Sequence, residues 1–164
     1  MRPPSLYTYF PLLQALYDAL FTAWVTSLAA ALGTTVHGVE GGVSWLRVSG
    51  RTTVGWATEH PPLAQLLFWR PVPDFEPSGA SFAGSHQGMA EVRSQLALAA
   101  TRGQLCRSAD SQDAVRLLTV LSSRLTTEHL ANQPGRAFDE GVFARLTDRG
   151  LDILFDTHAP DRRP

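Results

Sequence analysis

A chain of 164 residues has the size of one ordinary domain, and with 44% apolar residues it can bury a core. Its 14 basic residues, all arginine, nearly balance 15 acidic ones, which excludes a charged tail and a generally DNA-adhesive surface. A single cysteine, Cys106, excludes a disulfide framework or a cysteine zinc site and fits a reducing cytoplasm.

The stretch from Leu12 to Leu32 is apolar, but Gln14 and Asp18 interrupt it. An aspartate at mid-membrane costs about 3 kcal/mol, which argues against a span. Asp18 also falls where the apolar core of a signal peptide beginning at Arg2 and ending near Ala29-Ala30-Ala31 would lie. Leu13, Leu16, Tyr17, Leu20, Phe21, Trp24, Leu28, Ala31 and Leu32 recur at three- and four-residue steps. With Pro11 in the first turn and Gly33 at the end, they predict one long amphipathic helix of a soluble protein.

Residues 34–60 carry two readings. Val43, Trp45 and Arg47 alternate, Ser49-Gly50 can turn, and Thr52, Thr53 and Val54 are β-branched, which locally reads as a hairpin. A helix instead places Leu46, Gly50, Thr53 and Ala57 on one side, between Gly41-Gly42 and Pro61-Pro62. Pro61 opens a short helix through Trp69, with Leu63, Leu66, Leu67 and Phe68 as its apolar residues. Three prolines, Pro71, Pro73 and Pro77, make the next segment a loop, pinned to the body by Phe75.

A helix is expected from Ala80 to Arg102, closed by Gly103. Asp110 reads as the N-cap of the next, which runs to Ala131 with Leu117, Leu118, Leu121 and Leu125 inward. Pro134-Gly135 breaks the chain, and Asp139 reads as the cap of the last helix, with Phe138 and Phe143 stapling it. Phe143, Leu146, Gly150, Ile153 and Leu154 are assigned to one face, and the tail 159–164 to disorder.

Catalytic and metal chemistry finds little support. The histidines at 37, 60, 86, 129 and 158 lack ligand spacing, and Glu128-His129 reads as a surface pair. Gly38-Val39-Glu40-Gly41-Gly42 lacks the Lys-Ser/Thr of a phosphate loop. Ser81, Ser85 and His86 have no strand–turn–helix context for a nucleophile, so no enzyme, cofactor or metal is expected. Trp45, Trp56, Phe68, Trp69, Phe82 and Met89, with His86 as a polar neighbour, are candidates for a pocket taking an apolar small molecule.

Pro4-Ser5-Leu6-Tyr7-Thr8-Tyr9-Phe10, running into Leu16-Tyr17-Asp18-Ala19-Leu20-Phe21, resembles the recognition helix and connecting helix of TetR/AcrR-family regulators. Glu59-His60-Pro61, the Pro71–Pro77 segment, Ala100-Thr101-Arg102-Gly103-Gln104-Leu105 and Leu130-Ala131-Asn132-Gln133-Pro134 are similar, in order, to later parts of that family. The resemblance implies an all-α bundle of about seven helices that dimerises through its last two long helices. It divides the chain into a remnant of the helix-turn-helix head with the connecting helix (1–33), a ligand-binding and dimerisation region (34–158) and a tail. It also selects the helix over the hairpin at 43–57.

The implied function is ligand-responsive regulation, with repression the expected sign, an apolar effector, operator DNA as partner of a longer native chain, and a homodimer as the working form. Arg2, Ser5, Tyr7, Thr8 and Tyr9 would face DNA, and Leu117, Leu121, Leu125, Phe143, Leu146, Gly150 and Ile153 would face a second copy. The resemblance begins inside the recognition helix, which leaves open whether Met1 is the native start, and operator DNA is a partner only of a longer chain. The Ser-Lys pair that follows the "YF" in the family is replaced by Leu12-Leu13, and Arg2 is the sole basic residue before Arg47. Residues 1–164 alone are therefore expected to bind an operator weakly or not at all. The alternative is a module that has lost DNA and binds a small molecule or a heterologous partner.

Overall fold

A computed structural model describes residues 13–69 and 75–160. Six α-helices form the body: α1 (Leu13–Thr35), α2 (Val43–Glu59), α3 (Pro61–Trp69), α4 (Gly79–Thr101), α5 (Gln112–Asn132) and α6 (Val142–Thr157). Two 3-10 turns, Arg107–Ala109 and Phe138–Glu140, precede α5 and α6, and the described residues contain no strand. The recognition-helix segment 3–10 and residues 161–164 lie outside the described residues, as does most of the proline loop.

Segment 43–59 is helical throughout, so the hairpin reading fails. Its β-branched Val54 is fully buried, as is Leu46, and Trp56 and Ala57 are buried beside them. Its glycines serve close approach: a Cβ on Gly50 would sit 3.2 Å from Leu151, and one on Gly55 would sit 3.2 Å from Phe138. Gly42 precedes the helix at φ +90°, a left-handed conformation that costs glycine little. Its N–H donates to Gln95 Oε1 at 2.8 Å, and the Val43 N–H donates to Gln104 Oε1. Side chains of α4 and its following turn thus cap the start of α2.

α2 lies at the centre. Leu46 joins Leu96, Ala99, Leu105, Val115, Leu118, Leu151 and Leu154 in one buried cluster, where α4, α5 and α6 meet. Trp56 and Ala57 join Phe21, Trp24, Val25, Ala64, Leu66 and Phe75 in a second, between α1 and α3. Phe75 does fasten its loop, 5.7 Å from the Tyr17 ring.

α1 and α4 run in the same direction, stepping from Asp18–Ser78 to Thr22–Ser81 to Val25–Gly84. Ser78 caps α4, its side chain accepting from the Ser81 N–H. Asp18 in turn accepts from the Ser78 N–H at 2.7 Å and the Ser78 hydroxyl at 2.9 Å. These bonds, the backbone N–H first, hold the Asp18 carboxyl below its ordinary value. α1 is long and apolar enough to cross a membrane by length and composition, yet Phe21, Trp24 and Val25 are packed in the bundle.

Several boundaries differ from the sequence expectation. α1 continues past Gly33 to Thr35. Ser111, not Asp110, caps α5, because Arg93 draws Asp110 into an ion pair at 3.6 Å. Gly141, not Asp139, precedes α6, because Asp139 turns to Arg51. His129 is not a surface residue: it is buried beside Phe138 and Phe143, with Nε2 3.0 Å from the Arg136 carbonyl.

Candidate functional site

The final pair of helices presents the most distinctive surface. α5 and α6 are antiparallel, with His129 beside Phe143 at one end and Gly150 against Leu121 further along. A Cβ at Gly150 would lie 2.7 Å from Leu121 Cδ1, so the missing side chain lets the two backbones close. On the solvent side of this seam Leu117 is 50% exposed, Val120 62%, Leu146 46% and Ile153 60%, with Val142 also exposed. Single exposed apolar residues are ordinary; here five of them lie on two adjoining helices.

The seven residues expected at a dimer contact divide. Leu117, Leu146 and Ile153 stand on the exposed strip, so Leu117 is not inward as its spacing had suggested. Leu121 is half-buried against Gly150. Leu125 packs on the small cluster of Val54, Phe138 and Ala144, while Phe143 covers His129. The face assigned to α6 is therefore two faces, since Leu154 belongs to the core and Leu146 and Ile153 to the surface. Val120 and Val142 were missed; both flank the 3.6-residue stripe that points to the core, and their exposure follows only from how the helices are rotated.

The expected pocket residues occupy several places. Trp56, Phe68 and Phe82 share the aromatic cluster, where Phe82 lies 5.5 Å from Phe21 and Trp56 lies 5.9 Å from Trp24. Trp45 packs on the other cluster. Trp69 is half-exposed and donates through Nε1 to Thr127 at 2.9 Å. His86 stacks on Phe82 at the surface, and Met89 is exposed beside Thr119. Within the aromatic cluster the Trp24 indole Nε1 is buried and has no hydrogen-bond partner among the described residues. Neither has the buried Ser85 hydroxyl; it follows Gly84, whose backbone abuts Val25, the neighbour of Trp24.

An open groove of about 420 Å³ lies elsewhere, where the last turns of α1, one stripe of α2 and the turn before α6 converge. Its walls are Ala31 and Thr35; Arg51, Thr52, Gly55, Trp56 and Glu59; and Ala137, Phe138 and Asp139. Arg51 donates to Asp148 at 2.5 Å through one terminal nitrogen and to Asp139 at 2.9 Å through the other, and lies over the Phe138 ring. One turn away, Arg47 pairs with Asp152 at 2.6 Å and lies over Phe155. Trp56 alone of the expected pocket residues borders this groove.

Other polar groups form small local sets. No hydrogen bond joins His86 to Ser81 or Ser85 among the described residues; Ser81 bonds to Thr22 and Ser78 instead. Cys106 Sγ lies 3.0 Å from Ser108 Oγ and 4.0 Å from His158 Nδ1, a grouping that their separation in sequence concealed. Among the described residues no three His, Cys, Asp or Glu side chains come together as a metal site. The residues expected to face DNA, Arg2, Ser5, Tyr7, Thr8 and Tyr9, lie outside the described residues. No family model, curated protein or solved structure matches this chain.

Proposed function

We propose that the chain is a TetR-like, ligand-responsive regulator of transcription, acting as a cytoplasmic repressor whose working form is a homodimer. The observation that carries this reading is the exposed apolar strip on two antiparallel C-terminal helices, through Leu117, Val120, Val142, Leu146 and Ile153. Two such helices meeting their own copies about a two-fold axis make a four-helix bundle, in which the same patch serves both partners. The resemblance of residues 3–156 to the family supplies the regulatory role.

An effector site in the aromatic cluster is supported by two buried orphan groups, Trp24 Nε1 on α1 and the Ser85 hydroxyl on α4. A buried donor without an acceptor costs about 1–3 kcal/mol. A largely apolar effector with one acceptor facing Trp24 Nε1 would recover that cost. Its arrival between α1 and α4 would move α1, which follows in sequence the residues proposed to face DNA.

A second reading, a module that has given up DNA, is favoured by one observation: Arg2 is the only basic residue before Arg47, against Asp18 and Glu40. Phosphate neutralisation supplies most non-specific affinity, and this segment has little to offer. Selection of random duplexes by the protein purified from its own cells separates the readings. Enrichment of a palindromic site, released as salt rises, supports the regulator; a dimer that enriches no sequence supports the second reading.

A further inference from the structure

The groove between α1, α2 and the turn before α6 has features that the regulatory reading does not use. At about 420 Å³ it lies within the ~300–1,000 Å³ usual for small-molecule sites. Ala31, Trp56 and Phe138 give it apolar walls, and glycine at 55 lets Phe138 form one of them. Among the described residues its one cation is Arg51, and each terminal nitrogen of that guanidinium donates to a carboxylate, Asp139 or Asp148. With two carboxylates on it, that guanidinium presents no net positive charge to the groove.

The opposite charge is in excess. Glu59 borders the groove, is exposed, and has no ion pair among the described residues. Asp139 meets Arg51 through Oδ1 only. We propose that this groove is a binding site for small organic cations: an ammonium group beside Glu59 and an apolar body against Trp56 and Phe138. Carboxylate at the rim and hydrocarbon along the walls select an amine over its carboxylate counterpart by charge. The site lies apart from the α5–α6 strip and borders the aromatic cluster through Ala31 and Trp56, while its charge selectivity rests on Glu59, which the regulator reading does not use.

The test is a calorimetric or NMR titration of the whole protein with phenethylammonium and, in parallel, with 3-phenylpropionate. Saturable binding of the amine with a Kd on the order of 1 mM is expected for a ligand of this size in an open groove. Glu59→Gln should weaken it about fivefold, the scale of a screened charge pair. Ala137→Leu, which fills the groove from its exposed rim, should abolish it while leaving the fold intact by circular dichroism. Equal binding of 3-phenylpropionate, an unchanged Kd in Glu59→Gln, or no saturation by the amine would each overturn the assignment.

Discussion

Helix α6 meets its neighbours along two edges that are finished in different ways. Toward α2, Asp148 and Asp152 stand one turn apart and receive Arg51 and Arg47, each guanidinium also lying over a phenylalanine ring. Toward α5, the backbones close over Gly150, and the outer edge shows Leu146, Ile153 and Leu117 to solvent. The first edge is complete as it stands, because its polar groups satisfy one another while remaining wet. The second exposes side chains whose burial is worth about 1.5–3 kcal/mol each, and only another apolar surface can recover that. One helix thus separates a seam that holds the monomer together from an apolar edge open to solvent, the edge proposed to meet a second copy.

The largest effect expected from breaking this contrast is on association. Leu146→Asp combined with Ile153→Arg would place unpaired charges at the centre of the apolar edge and raise the dimer Kd by at least about 1,000-fold. Because both side chains are about half-exposed or more in the monomer, its denaturant midpoint should stay close to wild type when measured below the dimer Kd. The opposite edge should respond in the opposite sense. Arg51→Met removes two ion pairs and one ring contact, and should cost the monomer about 1–2 kcal/mol in urea unfolding, with dimer affinity little changed. That figure is discounted for exposure, since Asp139 is largely in solvent, and moderate salt should reduce it.

The smallest effect concerns Asp18, which accepts hydrogen bonds from Ser78, the cap of α4. Its folded carboxyl titrates below the ordinary 3.8, so its contribution is present above the unfolded value and is lost as pH falls through the folded one. Asp18→Asn should therefore be less stable than wild type at neutral pH, and the gap should close in acid. Paired urea melts at neutral pH and well below 3.8 check this sign. A gap that persists in acid would mean that Asp18 acts through packing and not through charge.

Much of the helical frame was legible because it is written in local chemistry: Pro61 opens α3, Gly103 follows α4, and the spacing that includes Phe21 and Trp24 finds the buried side of α1, although Leu20 of that stripe is exposed and Val25, outside it, is buried. What was not legible depends on residues far away in sequence. Thr52, Thr53 and Val54 lean locally toward strand, and the helix wins because Val54 and Leu46 are buried and Gly50 and Gly55 admit Leu151 and Phe138. Asp110 and Asp139 look like caps, yet Arg93 and Arg51 claim them. For the sites, periodicity finds apolar stripes but cannot say whether Leu117 or Leu125 faces the core. The groove was invisible for the same reason, since its walls come from three separated segments.

Sedimentation equilibrium of the wild-type protein tests most directly the proposal that the α5–α6 edge meets a second copy. A species of twice 17.9 kDa at micromolar concentration, reduced to a folded monomer by Leu146→Asp with Ile153→Arg, is the predicted result. A wild-type protein that stays monomeric at the highest soluble concentration, or a dimer indifferent to those two substitutions, would contradict it.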